Sequence, residues 1–237
     1  MMETSSESQA QELTAKFAAL EPWIYKFRIG GADYGGTISA REDERIAQFF
    51  QSIPRPRSIL ELGSLEGAHT IQLAARDGVE RVVAIEGRAA NIRKAELVRH
   101  SLGAEKIEFV QANLEETELS RFGKFDAVFC SGLLYHLPEP WKLLDQLPRS
   151  APALFVWTHY ADDLNAAEIR EGFRGQVHHE GGPNEPLSGL SATAFWPTLG
   201  SLLKMLARSG YRTIHVIKND ATHPNSPAIT LAAAVAD

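Results

Sequence analysis

The chain has 237 residues, of which 44% are hydrophobic and 23% charged, and its formal net charge is -6 at pH 7. This length predicts one domain-sized core with attachments, and the acidic balance gives no general attraction to nucleic-acid phosphates or anionic membranes. The single cysteine, Cys130, excludes an internal disulfide. We expect a cytoplasmic protein without membrane contact, because no apolar run approaches the roughly 20 residues of a membrane span and the polar N-terminus does not resemble a secretory signal.

Residues 1–52 are predicted to form an N-terminal tail and a helical extension. The opening stretch is rich in Ser, Glu and Gln, so we expect it to lack stable structure. Apolar residues at helical spacing between Leu13 and Phe27, interrupted by a proline, predict a broken helix. The glycine-rich run at 29–36 predicts a flexible loop, either a connector or a lid over a ligand, and a second helix is predicted over 40–52.

Residues 53–237 are predicted to form an α/β domain, because from Ser58 short apolar runs alternate with amphipathic stretches, as in βαβ units with a mostly parallel sheet. The predicted strands lie near 58–62, 81–86, 106–111, 124–130 and 152–158, and the predicted helices near 67–77, 89–102, 140–148 and 198–209. Residues 160–197 break this alternation and are too long for an ordinary connection, which predicts a functional insertion after the fifth strand. Two final strands, near 211–217 and 228–235, predict an antiparallel ending.

The run ELGSLEG, residues 61–67, directly follows the first predicted strand and precedes a helix. Gly63 allows a sharp turn and Gly67 allows the helix to start close to the sheet, while the helix N-terminus offers free N–H groups to a ligand. The second strand ends at Glu86, where a carboxylate can accept hydrogen bonds from ribose hydroxyls. Together these features predict a site for a nucleoside-bearing cofactor.

Two residues of this region distinguish between possible cofactors. Leu65 stands where a dinucleotide-binding loop needs a glycine to admit a pyrophosphate, and Glu61 adds an acid just before the turn. Both features disfavour a diphosphate, whereas S-adenosylmethionine has no phosphate and carries an amino group and a sulfonium that acids favour. Glu61 and Glu86 are also consistent with ordinary strand-end acids, but in this arrangement we favour a ligand-binding role.

The segments ILELGSLEG, VVAIE and FDAVFCSGLLYHLPEPWKLL resemble motifs of the class I S-adenosylmethionine-dependent methyltransferases, and the resemblance extends from about Ser58 to the C-terminus. It implies a Rossmann-like fold whose seven-stranded, mostly parallel sheet has an antiparallel last strand. It also implies adenine contacts at Asn113 and Leu114, although many relatives carry Asp in place of Asn113. The predicted cofactor-binding residues are Glu61, Gly63, Ser64, Gly67, Glu86, Gly87, Asn113, Leu114 and Ser131.

A narrower resemblance links FDAVFCSGLLYHLPEP and FWPTLGSLLKMLARSGY to the bacterial tRNA wobble-uridine carboxymethyltransferases. That family uses a carboxylated form of the same cofactor. Whether this chain shares their substrate is a separate question.

The acceptor site is expected where the fourth and fifth strands end and the insertion begins, because ligands of open α/β sheets bind beyond the carboxyl ends of the strands. Methyl transfer to an alcohol benefits from a base of near-neutral pKa, which is the range of histidine. We predict His159 and His179 as candidate catalytic bases, followed by His136. A loop hydrogen bond is a strong alternative for His136, a structural role is about as well supported as catalysis for His159, and one member of the His178–His179 pair is consistent with a solvent-facing position.

A metal site is the alternative to a histidine base in this region. Good metal ligands occur at His159, Asp162, Asp163, His179 and Glu180. Because no pair among them has the tight helical spacing of known metal motifs, we predict no metal.

The leading functional hypothesis is O-methylation of a hydroxyl on a small-molecule or sugar-containing acceptor. A tRNA- or other nucleic acid-modifying transferase is the second hypothesis, disfavoured by the charge of -6. A non-catalytic cofactor-binding protein is the third. The sequence leaves the oligomeric state open, with a homodimer among the alternatives.

Overall fold

A computed structural model describes residues 3–182 and 185–236 of the chain. The N-terminal elements are helix α1 (Glu3–Ala18), strands β1 (Tyr25–Ile29), β2 (Ala32–Gly35) and β3 (Ile38–Ser39), and helix α2 (Glu44–Ser52). The opening stretch was predicted to lack structure, but α1 begins at Glu3, so that prediction is wrong for the described residues; Met1 and Met2 lie outside them.

The first half of the predicted broken helix lies in α1, whereas its second half and the glycine-rich loop belong to a small three-stranded sheet. In β1, Phe27 and Ile29 are buried on one face, which is the two-residue periodicity of a strand. β1 pairs antiparallel with β2, and Gly30 and Gly31 form the turn with φ of +57° and +87°. Two consecutive residues with positive φ are typical of a tight hairpin turn, so the glycines build a hairpin instead of a mobile connector.

The remaining strands belong to the main domain and its insertion. They are β4 (Ser58–Leu62), β5 (Arg81–Glu86), β6 (Ile107–Gln111), β7 (Ala127–Ser131), β8 (Ala153–His159), β9 (Glu168–Arg170), β10 (Phe173–His179), β11 (Thr193–Pro197), β12 (Tyr211–Asp220) and β13 (Ala228–Val235).

A seven-stranded sheet with the order β12-β13-β8-β7-β4-β5-β6 forms the centre of the main domain. Strands β4 to β8 run parallel, and β13 is antiparallel to both of its neighbours. This confirms the predicted seven-stranded, mostly parallel sheet with an antiparallel last strand. The parallel strands are apolar along most of their length because helices cover both faces, and Leu60, Val83 and Val128 are essentially inaccessible to solvent.

The helices of the main domain are α3 (Ala68–Ala74), α4 (Ala89–Leu102), α5 (Pro140–Leu144), α6 (Leu147–Ser150) and α7 (Leu199–Ser209). The helix predicted over 140–148 is two short helices, since Pro148 has no N–H to donate to Leu144 and its ring would clash with that carbonyl. None of the described helices is long and apolar enough to cross a membrane.

The insertion that follows β8 has regular structure of its own. β9, β10 and β11 form a separate antiparallel sheet. Phe173 of β10 and Phe195 of β11 are buried against Trp141, with ring centroids 5.9 and 5.6 Å from it. The insertion therefore packs into the main core, which fixes its position beside the carboxyl ends of the central strands.

Candidate active site

A cavity of about 520 Å³ opens where the parallel strands end, the edge at which α/β sheets bind ligands. Most of the residues predicted from sequence line this one cavity. They are Gly63, Ser64, Glu86, Gly87, Asn113, Leu114, Ser131, His136 and His159. Glu61, Gly67 and His179 are not among its lining residues.

The loop after β4 has the backbone shape of a glycine loop even where it lacks a glycine. Gly63, Leu65 and Gly67 all have positive φ, at +77°, +52° and +81°. A Cβ at Gly67 would lie 2.7 Å from Cζ of Phe109, so this position also requires a glycine for close packing. Leu65 therefore adopts a conformation that costs an L-residue free energy, and its N–H donates to Oε2 of Glu86 over 2.9 Å.

Two buried carboxyl groups lie next to this loop. Burial raises the pKa of Glu86, although the N–H groups of Arg88 and Leu65 donate to it and oppose that change. Burial raises the pKa of Glu61 to about 8, and the charge of Glu86 adds to the effect. Oε2 of Glu61 and Oγ of Ser64 are buried without a hydrogen-bond partner among the described residues. Buried polar atoms without partners are costly, and because Ser64 lines the cavity, a ligand there can complete the hydrogen bonds of its hydroxyl.

The N-terminal segment contributes a wall that sequence motifs did not predict. Arg45 lines the cavity, donates to Asp43 and to Oγ of Ser131 (3.0 Å), and lies 4.8 Å from the ring centroid of Trp157. Nε2 of His69 lies 2.8 Å from Oδ2 of Asp43. Burial raises the pKa of Asp43, but hydrogen bonds from His69 and Arg45 outweigh it and hold that pKa well below its usual range. The only signal in the sequence was Asp43 as the N-cap of α2.

His159 is held in a defined orientation at the end of β8. Its Nδ1 lies 3.0 Å from the carbonyl oxygen of Ser226 and 3.3 Å from that of Pro227. Since carbonyl oxygens only accept, Nδ1 carries the hydrogen, and the neutral ring keeps its lone pair on Nε2. Burial lowers the pKa of His159 below its ordinary 6.5 and so favours this neutral form.

Aromatic rings surround His159 inside the cavity. The ring centroids of Tyr135, Trp157 and Trp196 lie 4.7, 5.1 and 5.5 Å from that of His159. The ring of His178 stacks on that of Trp196, with 4.4 Å between the two centroids. This part of the cavity therefore combines flat apolar surfaces with imidazole groups, a combination that suits a ring carrying hydroxyls.

The other two predicted histidines have different environments. Nδ1 of His136 lies 3.0 Å from Oε1 of Glu180; burial lowers the pKa of His136, and Glu180 opposes the change. His179 is exposed, because neighbouring residues of a strand point to opposite faces and it is His178 that lines the cavity. The structure therefore brings His136 and His159 to the cavity but does not bring His179.

The residues considered as metal ligands do not converge. Asp162 accepts a hydrogen bond from the N–H of Leu164, and Asp163 lies 3.6 Å from Arg174. Within 3–182 and 185–236, no three His, Cys, Asp or Glu side chains are grouped as a metal ion would require.

Comparison with known proteins identifies the family. Residues 60–151 match the family described as Methyltransferase domain. The crystal structure of the N-terminal domain of EvdMO1 in the presence of SAH and D-fucose is similar with a TM-score of 0.87, at 32% identity over 96% of this chain and 97% of that one. The chain belongs to the class I S-adenosylmethionine-dependent methyltransferases. This confirms the predicted family, and the family's cofactor is S-adenosylmethionine.

Curated relatives of this methyltransferase include two proteins named tRNA U34 carboxymethyltransferase. The one from Mannheimia succiniciproducens is 26% identical over 170 residues, which is 70% of this chain and 48% of the relative. The one from Shewanella denitrificans is 25% identical over 227 residues, which is 92% of this chain and 63% of the relative. The chain thus spans about half to two thirds of the length of these relatives.

The cavity of this methyltransferase fits a cofactor without phosphate groups. Leu65 fills the loop position that must stay open for a pyrophosphate, and the unpartnered oxygens of Glu61 and Ser64 lie beside that loop. A buried carboxyl suits the cationic groups of S-adenosylmethionine.

Proposed function

We propose that this methyltransferase transfers a methyl group to a hydroxyl of a sugar-containing small molecule, with His159 as the catalytic base. The observation that carries the proposal is the orientation of His159, whose Nδ1 hydrogen is held by two backbone carbonyls among the aromatic walls of the cavity. D-fucose in the crystals of the EvdMO1 domain supports a sugar acceptor.

The cofactor is proposed to bind across the carboxyl ends of β4, β5 and β6. Glu86 would accept hydrogen bonds from the ribose hydroxyls, and Glu61 would attract the amino group. Asn113 and Leu114 would contact the adenine. The remaining proposed contacts come from the turns at Gly63, Ser64, Gly67, Gly87 and Ser131. When bound, S-adenosylmethionine supplies a methyl carbon that its positively charged sulfur has already activated.

The chain's own contribution to the reaction is positioning and proton removal. The aromatic rings near His159 hold the acceptor by stacking on its C–H faces, which orients one hydroxyl for in-line attack. The hydroxyl oxygen would bond to the methyl carbon as the carbon–sulfur bond breaks, which leaves S-adenosylhomocysteine, and the hydroxyl proton would pass to Nε2 of His159. The carbonyls of Ser226 and Pro227 then stabilise the imidazolium through Nδ1.

A tRNA acceptor is the second candidate, because the likeness to the tRNA-modifying relatives extends over 92% of this chain. The net charge of -6 favours the small molecule instead.

Transfer of labelled methyl from S-adenosylmethionine to a panel of neutral pyranosides, phenols and unmodified tRNA tests the proposal. We expect a labelled methyl ether of a pyranoside, identified by mass spectrometry. Transfer to tRNA alone would replace the leading proposal with the second candidate. Binding of S-adenosylhomocysteine without transfer to any hydroxyl would overturn the leading proposal, and the same result with the carboxylated cofactor and tRNA would overturn the second candidate and favour a non-catalytic role.

A further inference from the structure

A loop of the insertion lies on the same cavity as the cofactor motifs. Residues 186–190 line the cavity together with Gly63 and Glu86. We call residues 185–191 the insertion loop. It follows β10 in sequence and has no counterpart in the glycine-loop and ribose-acid motifs, so nothing in those motifs assigns it to a ligand.

The insertion loop is anchored to the cofactor side of the sheet at two points. The guanidinium of Arg88, just after β5, donates to the carbonyl oxygens of Ser188 (2.6 Å) and Glu185 (3.1 Å). The hydroxyl of Ser191 donates to Oε2 of Glu115, after β6, over 2.6 Å. The loop therefore bridges the ends of β5 and β6 at the carboxyl edge of the sheet, which is the edge where α/β sheets bind their ligands.

A third anchor comes from the insertion itself. Oε2 of Glu180 accepts hydrogen bonds from the hydroxyl of Ser188 (2.7 Å) and the N–H of Gly189 (2.6 Å). The same carboxylate binds His136. These contacts order the loop before any ligand binds, which reduces the entropy that binding must overcome.

Two leucines of the loop present apolar surface to the cavity. Leu187 is 61% exposed although it stands on the cavity wall. Leu190 packs so closely over Gly87 that a Cβ there would lie 2.5 Å from Cδ1 of Leu190. A planar base placed between the loop and the sheet would cover Leu187, and removing this apolar area from water is favourable.

We infer that the insertion loop forms the outer wall of the adenosyl subsite, with Leu187 and Leu190 contacting the nucleoside and Arg88 holding the loop closed. The inference rests on the family's cofactor and does not depend on the acceptor. Arg88 is one of the three anchors of the loop, so weakening its contacts is expected to let the loop open more readily and the cofactor dissociate faster.

Calorimetry with S-adenosylhomocysteine and with 5′-methylthioadenosine, which lacks the amino-acid part, tests the contacts. Leu187→Ala and Leu190→Ala are expected to weaken both ligands about fivefold. Leu164→Ala is the matched control, because Leu164 is 93% exposed in the same insertion and does not line the cavity. Glu61→Gln is expected to weaken only S-adenosylhomocysteine, which separates the two ends of the cofactor.

Stopped-flow dissociation of S-adenosylhomocysteine tests the role of Arg88. Arg88→Lys keeps the charge but loses the geometry that reaches several carbonyls, and we expect dissociation about tenfold faster; Arg93→Lys, at an exposed position of α4, is the control. If the wild type binds S-adenosylhomocysteine while both leucine variants match Leu164→Ala, the inference is wrong. If the wild type binds neither ligand, the cofactor assignment itself fails.

Discussion

The carboxylate of Glu66 lies 2.8 Å from the ammonium of Lys94, and this buried ion pair joins the N-terminal segment to the main domain. Glu66 also accepts the N–H groups of Ile24 and Tyr25, at 3.0 and 2.8 Å, and Lys94 donates to the carbonyl of Pro22. Because Ile24 and Tyr25 line the cavity, the ion pair fixes one wall of the active site.

Removing one partner of this pair should destabilise the fold. Lys94→Met leaves the charge of Glu66 buried and is expected to cost about 3 kcal/mol of unfolding free energy, measured by urea denaturation. Lys16→Met breaks an exposed pair with Glu12 and should cost less than about 1 kcal/mol. The double variant Glu66→Gln, Lys94→Met should recover part of the loss. Equal small losses in all three variants would contradict a structural role for the pair.

His159→Asn should abolish most of the activity without affecting the cofactor. An asparagine amide can still donate to the carbonyls of Ser226 and Pro227 but supplies no base, so kcat should fall by roughly a hundredfold or more. S-adenosylhomocysteine affinity should stay within about twofold of the wild type. His179→Asn, at the exposed neighbouring strand position, is the control and should retain activity.

The pH dependence of the wild type provides a second measurement on His159. Burial lowers its pKa below 6.5, so the base is already unprotonated at pH 7. With the cofactor at saturating concentration, so that the ionisation of Glu61 does not contribute, we therefore expect kcat to be flat above pH 7 and to fall only below pH 6.5. An activity that still rises between pH 7 and 9 would indicate a different base.

Cofactor binding should release a proton from Glu61. Its pKa of about 8 means that the carboxyl is mostly protonated at pH 7, and a bound ammonium group favours the ionised form. S-adenosylhomocysteine affinity should therefore rise with pH by up to about tenfold per unit between 6 and 7.5. Calorimetry at pH 7 in two buffers of different ionisation enthalpy should detect about one released proton.

Glu61→Gln should remove that proton release, and Glu105→Gln, at an exposed position, should not.

The stability of the unliganded protein should change with pH in the opposite direction to the affinity for the ligand. Without ligand, an acid whose folded pKa is raised from 4.5 to about 8 makes the protein less stable as pH rises through that window. Glu61→Gln should therefore unfold at a higher temperature than the wild type at pH 8. If Glu61→Gln and the wild type unfolded at the same temperature at pH 8, the group that ionises would not be Glu61.

Much of the main domain could be predicted from sequence, whereas the N-terminal sheet could not. The runs ending at Leu62 and Glu86 are short, apolar and bounded by turns, and their length favours a buried strand over a buried helix. The stretch from Leu13 to Phe27 has apolar residues at helical spacing, but its second half is a strand. Its partner strand is only four residues long, and tertiary contacts such as that of Glu66 decide its structure.

The cofactor side of the site was more predictable than the acceptor side for a related reason. Glu61 to Gly67 form one continuous motif, whose glycines and position after a strand are visible in the local sequence. Arg45 and Trp157 are far apart in sequence and meet only through packing, with the guanidinium 4.8 Å from the ring centroid. The choice between His178 and His179 depended on strand alternation in an insertion whose strands had not been predicted.

Leu65→Gly should be tolerated by the cofactor loop and should stabilise it slightly. The backbone of Leu65 has a φ of +52°, which a glycine adopts without steric cost, so up to about 1 kcal/mol is expected from thermal unfolding. The matched comparison is Arg55→Gly, which replaces the positive-φ residue between Pro54 and Pro56, outside the cofactor loop, where φ is +60°. Gly67→Ala should destabilise instead because of Phe109. A large loss of stability in Leu65→Gly would mean that the leucine side chain holds the loop.

The turn between β12 and β13 should influence the acceptor and not the cofactor. His223 lies 4.9 Å from His159 and 6.0 Å from Trp157 between ring centroids, and Asn225 stands on the cavity wall. An amide can both donate to and accept from a hydroxyl, so Asn225→Ala should raise the acceptor KM about two- to tenfold.

The control for this turn is Thr222→Ala, whose hydroxyl donates to Oδ1 of Asp220 within the turn and which does not line the cavity. S-adenosylhomocysteine affinity should be unchanged in both variants, because we propose that the loops after β4 and β5 hold that ligand. If Asn225→Ala weakened S-adenosylhomocysteine binding and left the acceptor KM unchanged, the cofactor would lie at the His159 end of the cavity and the acceptor at the other end. His159 would then face the cofactor, and the base would have to come from the side of His136.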